Sequence, residues 1–530
     1  MAPLAVSRWA GPVALLGAGV AQAWALAWPL PFGATQGEPL PLLQLLALAL
    51  AVTQWTRAPT AWSAVGRGWL FATGWLAGTF WWLFVSMHTY GGLPAPLAAI
   101  AVVALAAALG LYYALAAGLF WRWRHQPLPR RALALAALWT LAEWMRGTWF
   151  TGFPWGAVGY AHVDSLAWLA PYVGVYGMGA LAAAAAVVLA AAGLALGAPV
   201  GRPWGRGVAL LGVALVVGAL SPTVGRGLAE AAPGYTRSSG WLNVVLLQGN
   251  IPQDEKFNPG GGVPLALDWY AEQVQAAVAR LPSPGLVVAP ETAIPLLPQD
   301  LDPAYWEGLL GAVARGHSTL MMGLPLGNWT DGYTNSVMAW APDGAQHRYD
   351  KHHLVPFGEF IPPGFRWFVE LMHIPLGDFR RGPLGAAPLV WGGQRIAPNV
   401  CYEDLFGEEL AASFRDPSLA PTVLVNVSNI AWFGDTVAID QHRHISRLRA
   451  LELQRPMLRA TNTGATAVID HRGQVVQELP RLTRTVLTGR VEGRDGLTPY
   501  ARWAGNWGLW PLVASCLVVL LLAWPRRGPN

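Results

Sequence analysis

The chain has 530 residues, of which 54% are hydrophobic and only 12% are charged, and its formal net charge is +5 at pH 7. Soluble globular domains carry about 25% charged residues, so this composition excludes a wholly soluble protein and indicates an integral membrane protein with a polar part. The basic residues lie in short loops between apolar runs, which membrane topology explains better than a nucleic-acid-binding surface does.

Eight apolar runs indicate a multi-pass membrane protein, because a helix needs about 20 apolar residues to cross a bilayer. The runs lie at 9–28, 38–55, 66–88, 94–122, 132–148, 166–198, 205–223 and 505–524. A signal peptide cleaved at Ala21-Gln22-Ala23 is an alternative for the first run, although further runs follow it at once. The sequence therefore predicts a membrane α-helical bundle of about eight transmembrane helices. About seven of them fall within 1–224, and the last lies within 501–530.

Arginines in alternate loops orient this bundle. Loops 29–37 and 89–93 contain no lysine or arginine. The alternating loops, a helix start and the C-terminal tail carry Arg57, Arg67, Arg122, Arg124, Arg130, Arg131, Arg202, Arg206, Arg526 and Arg527. Because basic loops favour the cytoplasmic side, we expect both termini in the cytoplasm and segment 225–500 outside. In a bacterium, this means an inner-membrane protein with a periplasmic domain.

Segment 225–500 mixes strand-like and helix-like patterns, which predicts one extramembrane α/β domain. Strands are predicted at 242–247, 286–289, 336–340, 347–350, 423–427, 465–469 and 475–479, and helices at 265–281, 305–314 and 442–453. Pro342-Asp343-Gly344 and His471-Arg472-Gly473 lie between successive strands and indicate hairpin turns. We expect sheets that are covered by helices.

Three chemically reactive residues each follow an apolar or strand-like run and open a loop rich in glycine or proline. They are Glu291, Lys351 and Cys401. The other cysteine, Cys516, lies in the last apolar run, and the other lysine is Lys256. Because arginine serves most surface charge roles, a retained lysine indicates a need for a compact ammonium.

Together these residues supply the groups that acyl transfer through a thioester needs. A nearby ammonium lowers the pKa of a thiol, and the thiolate is the nucleophile. A carboxylate takes the thiol proton and returns it to a leaving group. An ammonium also stabilises the oxyanion of a tetrahedral intermediate. The sequence therefore predicts a thiol-based acyl-transfer site.

Ordinary structural roles explain each residue taken alone. A cysteine after a strand is usually a small buried hydrophobe, a glutamate after proline is usually a turn or cap residue, and a lysine is usually solvated. His352-His353 suggests a metal, but no nearby cluster has the spacing of metal ligands. We therefore predict neither a metal nor a cofactor.

The stretches around Glu291, Lys351 and Cys401 resemble the Glu-Lys-Cys triad of the nitrilase superfamily. Together with the membrane runs, they make the chain similar to the bacterial apolipoprotein N-acyltransferase family. Further stretches that match this family are 248–253 with Lys256, 351–362, 426–429 with 431–434, 459–464, 146–147, 151–155 and 159–160. The chain departs from the family pattern at three positions that bear on the shape of the substrate pocket. They are Phe257 and Ala289, where tryptophan is common, and Ile430, where aspartate is common.

The resemblance implies a fold and a reaction. The fold is a nitrilase-like α-β-β-α sandwich over 225–500. In the reaction, Cys401 attacks an acyl ester of a phospholipid, typically phosphatidylethanolamine, with Glu291 as general base and Lys351 as the group that stabilises the oxyanion. The resulting thioester passes its acyl chain to the α-amine of a diacylglyceryl-cysteine at the start of an apolipoprotein.

The same resemblance implies auxiliary roles around the triad. Glu359 and Glu403, with Tyr402, are expected to support Lys351 and the thiol. Four aromatic residues are expected to receive acyl chains, with ordinary core packing as the alternative. They are Phe257, Phe360, Trp432 and Phe433.

Other functions remain open on the residues alone. A membrane-tethered nitrilase-like amidase uses the same triad to hydrolyse a C–N bond. A transporter usually carries ionisable residues within its spans, and Glu143 and Arg146 are the clear candidates here. A non-catalytic lipid-binding receptor does not require the triad. An assay of transfer to an amine against hydrolysis separates acyl transfer from the amidase.

Overall fold

A computed structural model describes residues 10–196, 203–232, 234–328, 330–362, 364 and 379–525. The chain forms two compact units. The first consists of Met1–Phe84, Ala95–Ala232 and Leu509–Asn530, and the second consists of Val85–Pro94 and Pro233–Gly508. The short segment Val85–Pro94 therefore belongs to the unit that contains the α/β part of the chain.

The first unit is helical, and a helix overlaps each of the eight apolar runs. These helices are Ala10–Trp24, Pro41–Thr56, Ala61–Phe80, Ala95–Phe120, Leu128–Thr148, Ala170–Leu196, Pro203–Ala219 and Trp510–Ala523. Their abundant alanine and leucine are strong helix formers. A short helix, Pro222–Ala231, follows the seventh, and Leu83–Val85 with a π-helical turn, Ser86–Tyr90, follows the third.

Two helical stretches among the described residues are long and apolar enough to cross a membrane by themselves. They are Ala95–Trp123 and Ala167–Leu196, with mean hydropathies of 2.2 and 2.3. If three bent helix pairs each count as one span, the number rises to as many as five. A membrane protein is thus supported, while the count of about eight spans stays a prediction. Arg202, Arg526 and Arg527, on which the predicted orientation partly depends, lie outside the described residues.

The two ionisable residues of the fifth apolar run hold the loop that follows their helix. Arg146 Nη1 donates to the carbonyl oxygens of Phe153 at 2.5 Å and Trp155 at 2.7 Å. Glu143 Oε1 accepts from the backbone N–H of Val158 at 2.8 Å. Backbone groups in an apolar environment need such partners. Both residues therefore have a structural role, and their presence is explained without a transport pathway.

Twelve strands form the second unit within the part of the chain that the structure describes. They are β1 (Thr236–Gln248), β2 (Gly285–Val288), β3 (Ser318–Asn328), β4 (Gly332–Trp340), β5 (Gln346–Asp350), β6 (Leu389–Trp391), β7 (Gln394–Val400), β8 (Val423–Ser428), β9 (Met457–Thr461), β10 (Ala467–Ile469), β11 (Val475–Glu478) and β12 (Thr485–Gly496). They build two six-stranded sheets, in the orders β12-β1-β2-β3-β4-β5 and β11-β10-β9-β8-β7-β6. The accompanying helices are Gly262–Arg280, Pro303–Arg315, Gly407–Ala411, Ala438–Leu453 and Pro499–Trp507.

Alternation of side chains along the strands produces a layered core. In β1, Val244 and Leu246 pack between the sheets against Val425 of β8. Their neighbour Leu247 points to the other face, where it packs with the helix Gly262–Arg280. The outer face of the second sheet is covered in the same way by the helices that follow β8 and β12. The predicted α-β-β-α sandwich is therefore confirmed.

Strand pairing brings the predicted site residues to strand ends. β2 lies parallel between β1 and β3, and β7 pairs parallel with β8. The predicted hairpin of β4 and β5 is antiparallel and pairs Ser336 with Asp350. Glu291, Lys351 and Cys401 follow the ends of β2, β5 and β7, where loops present functional groups.

Candidate active site

Glu291, Lys351 and Cys401 are neighbours in the second unit. Lys351 Nζ lies 3.6 Å from Glu291 Oε1. The Cys401 thiol is close enough to both side chains for their charges to act on its ionisation. A buried carboxylate, a buried ammonium and a partly exposed thiol are therefore close neighbours.

The Glu291 carboxylate is held at both oxygens. Oε1 accepts from Asn335 Nδ2 at 2.8 Å, and Oε2 accepts from the backbone N–H of Asn429 at 2.8 Å. The residue is only 8% exposed. These contacts fix the direction in which the carboxylate can accept a further proton, which is what a general base requires.

Lys351 is a buried ammonium between two carboxylates. Its Nζ donates to Glu359 Oε1 at 2.9 Å, nearer than it lies to Glu291. Burial by itself would lower the pKa of Lys351, but Glu359 and Glu291 outweigh it and raise that pKa above its usual value. The charged form of Lys351 is therefore favoured. Asn335 Nδ2 also donates to Glu359 Oε1, at 2.7 Å, so it joins both acids.

Cys401 adopts a left-handed backbone conformation, with φ of 52°, directly after β7. A non-glycine residue in this region is uncommon and strained, and such strain is typical of functional sites. The carbonyl oxygen of Cys401 accepts from Asn426 Nδ2 at 3.1 Å. The Ser428 hydroxyl donates to Cys401 Sγ at 3.3 Å. The conformation and the thiol are thus both held by residues of β8.

The ionisation of the thiol differs from the expectation. Burial, with a further contribution from the charge of Glu291, raises the pKa of Cys401 to about 12, although Lys351 acts to lower it. The prediction that the ammonium leaves the thiol with a lowered pKa is therefore wrong in its net direction. A raised pKa favours the protonated thiol, so nucleophilic attack is helped by a base that removes the proton.

Glu403 ties the strand that carries Cys401 to the loop that carries Lys351. Its carboxylate accepts from the backbone N–H of Val400 at 2.6 Å, of His352 at 2.6 Å and of His353 at 3.1 Å. The Tyr349 hydroxyl donates to it at 2.8 Å. Burial raises the pKa of Glu403 to about 7. Glu403 thus acts on the backbone around the site.

Tyr402, expected beside the thiol as a supporting residue, packs its ring in an aromatic cluster. The ring centroids lie 5.6 Å from His353 and 5.2 Å from Phe406. The same cluster stacks His353 on Phe406 at 3.5 Å, and His353 Nδ1 lies 3.0 Å from Glu409 Oε1. Among the described residues, no group of three His, Cys, Asp or Glu side chains is placed to hold a metal ion.

A buried polar network lies behind Cys401. His442 Nε2 lies 3.2 Å from the carbonyl oxygen of Cys401 and 2.8 Å from Asp404 Oδ1. Arg459 Nη2 lies 3.2 Å from His442 Nδ1. Because arginine only donates, Nδ1 accepts and Nε2 carries the hydrogen, which is directed to Asp404 Oδ1 as the nearer acceptor and to the carbonyl oxygen of Cys401. Burial alone would raise the pKa of Asp404, but His442 and Arg459 hold it below its usual value.

The four aromatic residues expected to receive acyl chains differ in exposure. Phe257 is 55% exposed and Trp432 is 37% exposed, whereas Phe360 and Phe433 are half-buried. The Trp432 ring packs edge-on against Tyr90, with centroids 5.9 Å apart. These environments are compatible with contact to an apolar ligand, and the role stays a prediction.

Sequence reasoning did not assign roles to several residues that the structure places here. Asn335 lies in the middle of β4, and His442 lies in the helix Ala438–Leu453. The other lysine of the chain, Lys256, is buried, and its Nζ donates to the carbonyl oxygen of Glu291 at 3.2 Å. Its rarity and its place in a family motif were the signals that could have identified it.

Comparison with known families first gives the class of protein. The carbon-nitrogen hydrolase family model matches residues 246–496, which agrees with the sandwich and with the predicted resemblance to the nitrilase superfamily. Among solved structures, a carbon-nitrogen hydrolase from Helicobacter pylori G27 aligns with 54% of this chain and 96% of its own, at 15% identity and a TM-score of 0.36.

Further comparisons resolve the family within that class. A model of the apolipoprotein N-acyltransferase N-terminal domain matches residues 21–188. The chain is 54% identical over 522 residues to the apolipoprotein N-acyltransferase of Verminephrobacter eiseniae, with 94% of each chain covered. It is 45% identical to that of Ralstonia nicotianae, over 99% of this chain and 95% of the relative. The chain belongs to the apolipoprotein N-acyltransferase family.

Proposed function

We propose that this chain transfers an acyl chain from a phospholipid to the N-terminal amine of the diacylglyceryl-cysteine of an apolipoprotein. The transfer passes through a thioester on Cys401 and forms the last step of bacterial lipoprotein maturation. One observation carries the proposal. A thiol, a carboxylate fixed at both oxygens and a buried ammonium lie side by side in a chain of this family.

The first half-reaction forms the acyl-enzyme. Glu291 takes the thiol proton, and Cys401 Sγ forms a bond to the carbonyl carbon of the phospholipid ester. The charge that develops on the carbonyl oxygen is stabilised by the Lys351 ammonium. When the intermediate collapses, the ester C–O bond breaks, and Glu291 returns the proton to the leaving alkoxide. A lysophospholipid departs, and phosphatidylethanolamine is the donor we expect.

The second half-reaction uses the same groups, but Cys401 is now the leaving group and the amine is the nucleophile. The neutral α-amine of the acceptor attacks the thioester carbon, and Glu291 takes a proton from the attacking nitrogen. Lys351 again stabilises the oxyanion. Collapse breaks the C–S bond, forms the amide and returns a proton to the Cys401 sulfur. Glu359 supports Lys351 through their contact, while Glu403 and Tyr402 shape the backbone around it.

Intact mass spectrometry tests this scheme in two stages. The purified full chain, incubated with phosphatidylethanolamine in mixed micelles, should gain the mass of one acyl group. Addition of a diacylglyceryl lipopeptide should then remove the adduct and yield triacylated peptide. If the adduct instead decays to free fatty acid at the same rate with and without the lipopeptide, the protein is a hydrolase of the amidase type. If phospholipid gives no adduct at all, the proposal fails.

We also propose the arrangement in the membrane that the arginine pattern predicts. The bundle over 1–224 and the helix within 501–530 span a bacterial inner membrane, 225–500 lies in the periplasm, and both termini are cytoplasmic. Both substrates are anchored in lipid, so a domain tied to the membrane at both ends keeps its site near the bilayer surface. The aromatic residues Phe257 and Trp432 are suited to contact acyl chains there.

Thiol labelling of intact cells checks this orientation. In a background that lacks both native cysteines, Ala345→Cys places a thiol on an exposed turn of the periplasmic segment, and His125→Cys places one in an arginine-rich loop. We expect a membrane-impermeant maleimide to label the first variant in cells with a permeable outer membrane. The second should react only after the inner membrane is opened. The opposite pattern would reverse the orientation.

A further inference from the structure

We infer that Lys256 is a positioning residue of the acyl-transfer site, a second cation that keeps the Glu291 carboxylate ionised next to Glu359. The inference rests on the proposed function, in which Glu291 must begin each half-reaction without a proton. It assigns a role to the other lysine of the chain.

The contacts of the segment 253–256 place it against the base. Lys256 is 2% exposed, and its Nζ donates to the carbonyl oxygen of Glu291 at 3.2 Å. Gln253 Oε1 accepts from Asn429 Nδ2 at 2.8 Å. The backbone N–H of Asn429 in turn holds Glu291 Oε2. The segment therefore reaches Glu291 both directly and through Asn429.

The charges of the site explain why a second cation is needed. Lys351 forms ion pairs with two carboxylates. Its Nζ lies nearer to Glu359, at 2.9 Å, than to Glu291, at 3.6 Å. Two buried carboxylates with one ammonium leave a net negative charge, which favours the protonation of one of them. A protonated Glu291 cannot accept the thiol proton, and Lys256 supplies the missing positive charge.

The ionisation of Lys256 agrees with this role. Burial lowers the pKa of Lys256 to about 8, while the nearby Glu291 and Cys401 act to raise it. The side chain is therefore still mostly charged at pH 7. As the pH rises further its charge is lost, but at such pH the carboxylate no longer needs the cation to remain ionised. The requirement for Lys256 is thus greatest at neutral and acidic pH.

The pH profile of Cys401 acylation tests the inference in the full-length protein. Lys256→Met removes the charge, Lys256→Gln removes the charge but keeps an N–H donor, and Lys256→Arg keeps the charge. For the two neutral variants we expect the acidic limb of the profile to move up by about one pH unit, which lowers the rate about tenfold at pH values below the limb. The rates of these two variants should return to the wild-type value at alkaline pH. In Lys256→Arg the acidic limb should lie at the same pH as in the wild type.

A matched control separates charge from loop anchoring. Arg484 Nε donates to the carbonyl oxygen of Gly249 at 2.8 Å, so it is another cation that binds the backbone of the same region. Arg484→Met should leave the acidic limb in place. If the neutral Lys256 variants lose rate equally at every pH, or lose none, the inference is overturned and Lys256 only anchors a loop. If Lys256→Met does not fold, Lys256→Gln gives the same decision.

Two acyl donors keep this test independent of the proposed function. Phospholipid and the p-nitrophenyl ester of a short fatty acid both report acylation of Cys401. A wild-type protein that reacts with the ester but with no phospholipid would reject the proposed function, while the ester profile would still decide the role of Lys256. An unmoved acidic limb with both donors would reject the role of Lys256 alone.

Discussion

We expect the Cys401→Ala protein to form no acyl adduct with phospholipid and to transfer no acyl chain, while it still folds and inserts into the membrane. The side chain is small and partly exposed, so its loss leaves no large cavity. The reaction, in contrast, loses its nucleophile, and such a loss costs on the order of 10⁶ in rate in a comparable triad. Cys401→Ser should also be largely inactive, because a hydroxyl is a far weaker nucleophile here.

Intact mass and a lipopeptide transfer assay measure this effect, and the other cysteine supplies the control. Cys516 lies buried in the helix Trp510–Ala523, so Cys516→Ala should retain the adduct and the transfer. Substantial transfer by Cys401→Ala would show that the nucleophile lies elsewhere. Loss of activity in both variants would show only that removal of a cysteine disturbs the fold.

We expect Lys351→Met to be inactive and Lys351→Arg to retain little activity. The ammonium is 1% exposed and lies between Glu291, Glu359 and Asn335, where a broad planar guanidinium does not fit without displacing the carboxylates. Loss of an oxyanion donor costs about 10²–10³ in rate. The thiol pKa, which Lys351 acts to lower, should rise further in the methionine variant. Both half-reactions pass through an oxyanion, so both should slow.

Rapid-mixing measurements of acyl-enzyme formation and of transfer to a lipopeptide test the two half-reactions separately. Arg348→Lys on the neighbouring strand β5 is a suitable control, because its side chain is 51% exposed and pairs with Asp350. It should keep the wild-type rates. Near-wild-type rates for Lys351→Arg in both half-reactions would show that Lys351 only holds the structure and does not stabilise the oxyanion.

The sequence predicts the reactive groups of the site better than it predicts their surroundings. Cys401 and Lys351 stand out because their residue types are rare in this chain and each follows a strand. Asn335 and His442 have no such signal, since an amide within a strand and a histidine within a helix have many ordinary uses. Their contacts depend on strand pairing and helix packing that no local pattern reveals. The same limit explains the wrong direction for the Cys401 pKa, because the sequence shows a nearby charge but not burial.

For the fold as well, local sequence patterns predict individual strands and turns but not which elements pair with each other. The short apolar run at 242–247 and the turn at Pro342-Asp343-Gly344 predict β1 and the hairpin of β4 and β5 correctly, because both signals are local. The two-sheet sandwich followed from family resemblance, while the strand order did not follow from any pattern. The segment Val85–Pro94 was predicted within a membrane run and the following loop, yet it belongs to the second unit. Hydropathy alone does not distinguish a span from an apolar segment that packs with an α/β domain.

The pairing of β1 with β12 has a consequence for biosynthesis. These are the first and last strands of their sheet in chain order, and they pair from Thr236 with Gly496 to Gln248 with Thr485. Until the ribosome has released β12, β1 presents an unpaired edge, which is a hazard for misassociation. A chain that stops before Thr485 already contains every residue of the candidate site, but its sheet cannot close. Premature termination there should therefore give a target for quality-control proteases instead of a partly active enzyme.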